Sequence, residues 1–285
     1  MMAALRLLSP DDRESLEAFL RGHAADAMIL RSNLARSGIV DGPEPFQGRY
    51  AGAFDDGRII AAAAHYWNGM LILCAPGRAG ELAGIVTEGR RVSGILGPWD
   101  QALEAQEALG LGGSECRLRS REILMSLSLD ALRMPAPLLP GQALQCRLAQ
   151  DEDLDLLAQW RAAFRMESLC DTPSRALVQH CRAEVARWIE EKSQFLLFDG
   201  ERPVSCCSFN ARLPDAVQIG NVWTPREFRS RGYGRAVVAW ALEHAKREGA
   251  SLGILFTPQD NEAALTAYTA LGFSAVGDYA MLLYR

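Results

Sequence analysis

Residues 222–235 read VWTPREFRSRGYGR. Upstream, the apolar run 216–224 has the pattern of a strand that stops at Pro225, because proline has no N–H to give to a ladder. Downstream, amphipathic spacing runs from about Gly232 to Arg247 and predicts a helix. The stretch is therefore a strand-to-helix turn. The first N–H groups of such a helix lack partners, and glycine lets a ligand approach that backbone with no Cβ in the way. With the helix dipole behind it and Arg229, Arg231 and Arg235 around it, phosphate or pyrophosphate is the natural occupant. No Gly-Lys-Ser/Thr follows, so it is not a Walker loop, and Val237 stands where the third glycine of G-x-G-x-x-G belongs. The same residues would also serve as a plain basic helix cap with a glycine turn.

Working outward, the C-terminal half predicts a strand at 144–149, helices at 153–166 and 173–190, and strands at 194–198, 203–210 and 216–224. A helix at 232–247, a strand at 251–257, a helix at 262–271 and a strand at 277–284 follow. Hairpins come first and a β-α-β unit after, which implies a mixed, mostly antiparallel sheet flanked by helices, an α+β class. The N-terminal half repeats this order. Phe54-Asp55-Asp56-Gly57 and Phe198-Asp199-Gly200 both join apolar runs at an Asp-Gly turn, and residues 93–111 parallel 252–273 as strand, helix and Leu-Gly stop. The copies differ in one place: 18 positions separate Pro76 from Gly94, whereas 28 separate Pro225 from Gly253. The first copy lacks the arginine and glycine loop. Three prolines and a glycine in 134–141 suggest the division 1–138 and 139–285.

The pattern Arg229-x-x-Gly232-x-Gly234, preceded by Val222-Trp223-Thr224-Pro225 and followed by Asn261, Tyr268 and Leu271-Gly272-Phe273, resembles the GNAT superfamily of acyl-CoA-dependent N-acetyltransferases. The resemblance covers about residues 144–285. It implies two GNAT-like domains, the first degenerate, each with a sheet splayed open. In the second, acetyl-CoA would lie in the opening with its pantetheine arm against Val222, Trp223 and Thr224, and with Asn261 bonded to that arm. Arg229, Ser230, Arg231, Gly232, Tyr233, Gly234 and Arg235 would hold the pyrophosphate. Tyr268 would face the thioester sulfur and is the candidate general acid, since a phenol of pKa ~10 can protonate a thiolate of pKa ~8.5. The alternative for Tyr268 is packing on the alanine-rich helix. In the first copy the matching position is Gln106, which cannot do this work.

Many members of the family carry a glutamate on the fourth strand as general base, but here VQIGNV offers only Gln218 and Gly220. Glu167 is the candidate catalytic substitute, with Asp171 beside it; a solvated helix end is the other reading of both. Trp160 and Phe164 read as core. The implied function is acetyl transfer from acetyl-CoA to a primary amine by direct attack. The alternative is an acyl-CoA-binding sensor or pseudoenzyme whose N-terminal domain binds a partner.

Composition limits the remainder. Hydrophobic residues at 49% and charged residues at 23% are globular values. Thirty Lys+Arg against 35 Asp+Glu leave a net charge of −5, so an extended nucleic-acid partner is not expected. Seven cysteines form no C-x-x-C pair and four histidines no H-x-x-x-H pair, so no metal site is expected. No apolar run approaches the ~18–20 residues of a membrane span, and a cytoplasmic protein is expected, with a homodimer compatible with the sequence.

Overall fold

The computed structural model describes residues 4–136 and 144–285. Its elements begin β1 (Ala4–Leu7), α1 (Arg13–Gly22), α2 (Met28–Ser37), β2 (Gly48–Asp55), β3 (Arg58–Tyr66), β4 (Met70–Cys74), α3 (Ala79–Thr87), β5 (Gly94–Pro98), α4 (Trp99–Ala108) and β6 (Cys116–Ser128). They continue as β7 (Leu144–Leu148), α5 (Leu154–Ser168), α6 (Arg175–Glu190), β8 (Gln194–Asp199), β9 (Arg202–Arg212), β10 (Ala216–Trp223), α7 (Tyr233–Arg247), β11 (Leu252–Pro258), α8 (Glu262–Leu271) and β12 (Ser274–Tyr284). Among the described residues no helix is long and apolar enough to cross a membrane.

Contacts divide the chain into two compact units, one of residues 1–124 with 276–285 and the other of residues 125–275. The boundary expected between 138 and 139 lies outside the described residues. Each unit takes its last strand from the other half of the sequence: β12 lies beside β5 in the first, and the end of β6 lies beside β11 in the second.

In the first unit the sheet runs β1-β2-β3-β4-β5-β12-β6. The β2–β3 turn places Asp56 at φ 45 and Gly57 at φ 76, the left-handed pair that a tight hairpin requires and that the Asp-Gly sequence supplies. Helices α3 and α4 pack on one face around Leu71, Leu73, Leu82 and Val86. Helices α1 and α2 pack on the other around Leu16, Leu20, Leu30, Tyr50 and Tyr66.

In the second unit the order is β11-β10-β9-β8-β7. Strands β7 to β10 are antiparallel neighbours, and β10 and β11 are parallel through three pairs, ending at Gln218↔Ile254. Beyond that pair the two strands part. Helices α5 and α6 bury Leu157, Val185 and Trp188 against Leu196, Cys206 and Trp223 on one face. Helix α7 sits on the other with Val237, Val238 and Leu242 fully buried; each such side chain contributes about 1.5–3 kcal/mol. The adjacent Cys206 and Cys207 face these opposite layers: Cys206 joins the α5/α6 cluster, and Cys207 Sγ lies 3.7 Å from the Val237 carbonyl of α7. The predicted helices and strands of this half are all present within a few residues.

Candidate active site

The site is built where β10 leaves β11. Strand β10 carries an extra residue between its Gly220↔Ser208 and Trp223↔Cys206 pairs, and Asn221 there adopts φ 50. Arg161 of α5 donates to Asn221 Oδ1 at 3.3 Å and so braces the bulge. After it, Trp223 turns its carbonyl toward β9, where Ser205 Oγ donates to it at 3.0 Å. Strand alternation then directs the main-chain groups of Val222 and the Thr224 N–H to the other side, into the opening left by β11. That opening is a cavity of about 590 Å³ lined by Val222–Thr224, the 228–235 loop, α8 from Asn261 to Tyr268, and Glu167.

The loop between β10 and α7 is shaped as a cradle of main-chain N–H groups. Ser230 at φ 62 and Gly232 at φ 80 are both left-handed, which turns successive N–H groups inward. The first main-chain bond of α7 runs from Ala236 N to Gly232 O, so the N–H groups of Tyr233, Gly234 and Arg235 are the open first-turn donors. Arg235 Nε is buried without a partner on the same wall. The Tyr233 hydroxyl donates to Asp199 Oδ2 at 2.5 Å, tying the helix start to the β8–β9 turn, and that bond raises the phenol's pKa. A phosphate-bearing acyl carrier such as acetyl-CoA fits this wall: it offers a row of N–H donors, an unpaired guanidinium nitrogen, and two glycines where the backbone must be approached.

Arg229 departs from expectation. Its Nε donates to the Thr224 carbonyl at 3.0 Å, its Nη2 lies 2.8 Å from Glu167, and its guanidinium rests 4.9 Å over the Trp223 ring. The side chain staples the loop to β10, which leaves the cavity wall to the backbone and Arg235; Arg231, expected there too, does not line the cavity and bonds to the Tyr233 side chain instead.

Tyr268, on α8, lines the cavity and packs edge-on against Phe273 at 6.1 Å. Burial, with the nearby Cys207 second, pushes its pKa well above the ordinary phenol value. Asn261 caps α8: its Oδ1 accepts from Ala264 N at 3.1 Å, leaving the side-chain NH₂ for a ligand.

Glu167 reaches the cavity wall, but the role of base does not suit it. Arg226 donates to it at 2.9 and 3.1 Å, and Arg229 sits at 2.8 Å. Burial alone would raise its pKa, yet the two guanidinium groups outweigh that and lower it, making a weak proton acceptor. Its role is to hold Arg229. Asp171 is likewise committed, 2.6 Å from Arg165 Nε. A Cβ at Gly220 would overlap the carboxamide of the exposed Asn210, which would have to swing aside. Trp160 and Phe164 pack, half-buried, against the core cluster as expected; Trp160 also lines a neighbouring groove of about 500 Å³ with Ala163, Met166, Trp223 and Pro225, and Phe164 lies edge-on to Trp223 at 6.4 Å. Ser205, Asn210 and Arg161 were not anticipated. Only Ser205 left a trace in the sequence, as a serine in the apolar strand that pairs with β10.

The corresponding place in the first unit is closed by its own side chains. Gln101 Oε1 accepts from Ala75 N at 2.6 Å, and Glu104 Oε1 accepts from Gly80 N in the first turn of α3 at 3.0 Å. Strands β4 and β5 remain so close that a Cβ at Gly97 would lie 2.8 Å from Leu73 Cβ. The missing loop is thus accompanied by a filled cleft, and Gln106 is bonded to Tyr284 and Arg119.

Residues 158–273 match the model of the acetyltransferase (GNAT) family. A mycothiol acetyltransferase of Corynebacterium glutamicum (strain R) is 32% identical over 93 residues, which are 33% of this chain and 32% of that protein. A mycothiol acetyltransferase of Nocardia farcinica is 27% identical over 196 residues, 59% of this chain and 64% of that one. The chain therefore spans about a third of the first relative's length and under two thirds of the second's. A tandem GNAT protein from the clavulanic acid biosynthesis pathway superposes with a TM-score of 0.51 at 14% identity, covering 99% of this chain and 98% of that chain, a likeness of fold. The bulged, parting strand, the glycine-turn cradle and the family match thus fall in one unit: residues 158–273 are similar to the acetyltransferase (GNAT) family, and the chain as a whole has a fold like that of the tandem GNAT protein.

Proposed function

We propose that the second unit transfers an acetyl group from acetyl-CoA to a primary amine by direct attack. The observation that carries this reading is the single cavity that joins three parts: the freed main chain of Val222 and Thr224, the N–H cradle of residues 230–235, and Tyr268. The donor supplies an acyl carbon activated as a thioester. Val222 and Thr224 offer main-chain hydrogen bonds along its arm, Asn261 offers its side-chain NH₂, and the cradle with Arg235 takes the pyrophosphate. Tyr268 is the proton source for the departing thiolate; burial keeps it protonated and also makes it a weaker acid, so the transfer relies on the same dry cavity raising the basicity of the thiolate. With Glu167 and Asp171 both tied to arginines, the amine is taken to enter as its free base, by way of the groove beside Trp160. The filled cleft of the first unit leaves one donor site per chain. The seven free cysteines support placing the reaction in the reducing cytoplasm.

The test is thiol release from acetyl-CoA across a panel of amines that includes the acceptors of mycothiol acetyltransferases. Tyr268→Phe is expected to lower kcat by about 10²–10⁴ while the acetyl-CoA Kd stays within a few fold. Unchanged turnover would remove the acid assignment. Tight binding with no turnover on any amine would turn the reading to a sensor.

A further inference from the structure

Two buried hydroxyls behind the cavity wall fix which kind of hydrogen bond the wall can make. Ser205, on β9, is fully buried, and its Oγ lies 3.0 Å from the Trp223 carbonyl and 2.9 Å from Thr224 Oγ1. A carbonyl can only accept, and Ser205 has one hydroxyl hydrogen, so that hydrogen belongs to Trp223. The second contact then has only one consistent polarity: Thr224 donates and Ser205 accepts. Thr224 Oγ1 thereby spends its only hydrogen inward. What it presents to the cavity, beside Gly234, is a pair of lone pairs.

We infer that Ser205 is a positioning residue that makes Thr224 Oγ1 an acceptor-only group, so that the wall selects a ligand carrying an N–H at that point and disfavours one carrying a carbonyl or ether oxygen. This rests on the donor reading above, and it identifies the recognised group as an amide N–H of the acyl carrier's arm. The requirement is directional. A hydroxyl free to rotate would accept from or donate to either kind of group, whereas one whose hydrogen is held by a buried serine cannot. An oxygen facing it would meet lone pairs with no hydrogen between, and both groups would be left unsatisfied in a partly dry site.

The experiment is a double-mutant cycle read by calorimetric titration with acetyl-CoA. Thr224→Val removes the acceptor at nearly constant shape, and Ser205→Ala frees the Thr224 hydrogen. Thr224→Val is expected to weaken acetyl-CoA binding about five- to tenfold, the range of one neutral hydrogen bond, whereas Ser205→Ala, whose freed Thr224 hydroxyl can still accept, should stay within about threefold on acetyl-CoA and bind an ester analogue more tightly than the wild type does. The double variant should discriminate between acetyl-CoA and the ester analogue no more than Thr224→Val alone, because the selection runs through that hydroxyl. Thr224→Ser should stay within about twofold of the wild type. That analogue, with an ester in place of a pantetheine amide, should lose about tenfold on the wild type and nothing further on Thr224→Val. A Ser205→Ala variant that discriminates against the ester analogue as strongly as the wild type would overturn the relay while leaving the donor reading in place. A wild-type chain that does not bind acetyl-CoA removes both. Should Ser205→Ala fail to fold, the analogue measured on the wild type and Thr224→Val decides the polarity alone, and equal losses on both overturn it.

Discussion

Gly234→Val separates the fold from the ligand cradle. Gly234 stands in the first turn of α7 with no left-handed φ, and a Cβ added there would meet Thr224 Oγ1 at 3.6 Å and Val222 Cγ1 at 3.8 Å, both ordinary contact distances. The backbone therefore does not require glycine. Helix propensity even favours valine over glycine by a few tenths of a kcal/mol, so stability should hold within about 0.5 kcal/mol and Tm within about 2 °C. The cost falls on the cavity. The two γ-methyls project about 1.5 Å beyond the Cβ, over the N–H groups of the first turn and against the Thr224 wall, where a pyrophosphate must come to hydrogen-bond distance. Losing two such contacts raises the Kd of acetyl-CoA at least about 100-fold, or about 2.7 kcal/mol. Gly232→Val is the comparison: φ 80 makes any Cβ strained there, so it should lose about 1–2 kcal/mol of stability as well as binding. Thermal unfolding and calorimetric titration on the two variants give both quantities. Binding by Gly234→Val within threefold of the wild type would refute the backbone cradle.

Two further outcomes follow from the same geometry. The filled cleft of the first unit, with Gln101 and Glu104 on the amides of Ala75 and Gly80, sets the titration stoichiometry at one acetyl-CoA per chain, and two sites of comparable affinity would show that those side chains yield to the ligand. Tyr50, Tyr66, Tyr268 and Tyr279 all have pKa values raised by burial. The folded chain therefore keeps protons that the unfolded chain releases above about pH 10, so their contribution to stability is complete below that pH and is lost above it. Absorbance at 295 nm should show these four titrating only as the protein unfolds, and a folded-state transition near pH 10 involving them would contradict their burial.

The legible features were local ones. The Asp-Gly hairpins, the proline-ended strands and the Arg-Ser-Arg-Gly-Tyr-Gly turn each specify backbone geometry within a few residues, and the left-handed φ at Gly57, Gly200 and Gly232 follows from glycine's missing Cβ. The ten-residue difference between the copies was equally plain, since it needs only counting. Glu167 shows where reading stopped. A carboxylate near a helix end looks like a free base until Arg226 and Arg229, about 60 residues away, are folded onto it. Trp160 was assigned to the core by its helical spacing, which says which face it shares but not how far the groove beside it opens.

The sequence by itself determined the elements, their order, the repeat and the glycine turn between β10 and α7, because propensity, periodicity and glycine stereochemistry act along the chain; Tyr268 was singled out by the family resemblance. The tertiary structure decided which strand closes which unit, that Arg229 staples the loop to β10, that Gln101 and Glu104 occupy the amides of Ala75 and Gly80 in the first unit, and that Ser205 lies between the Trp223 carbonyl and the Thr224 hydroxyl. Each of these depends on a donor meeting an acceptor, or a strand meeting an open edge, across long stretches of chain, and such encounters are set by the packing of the whole fold, which local preference does not encode.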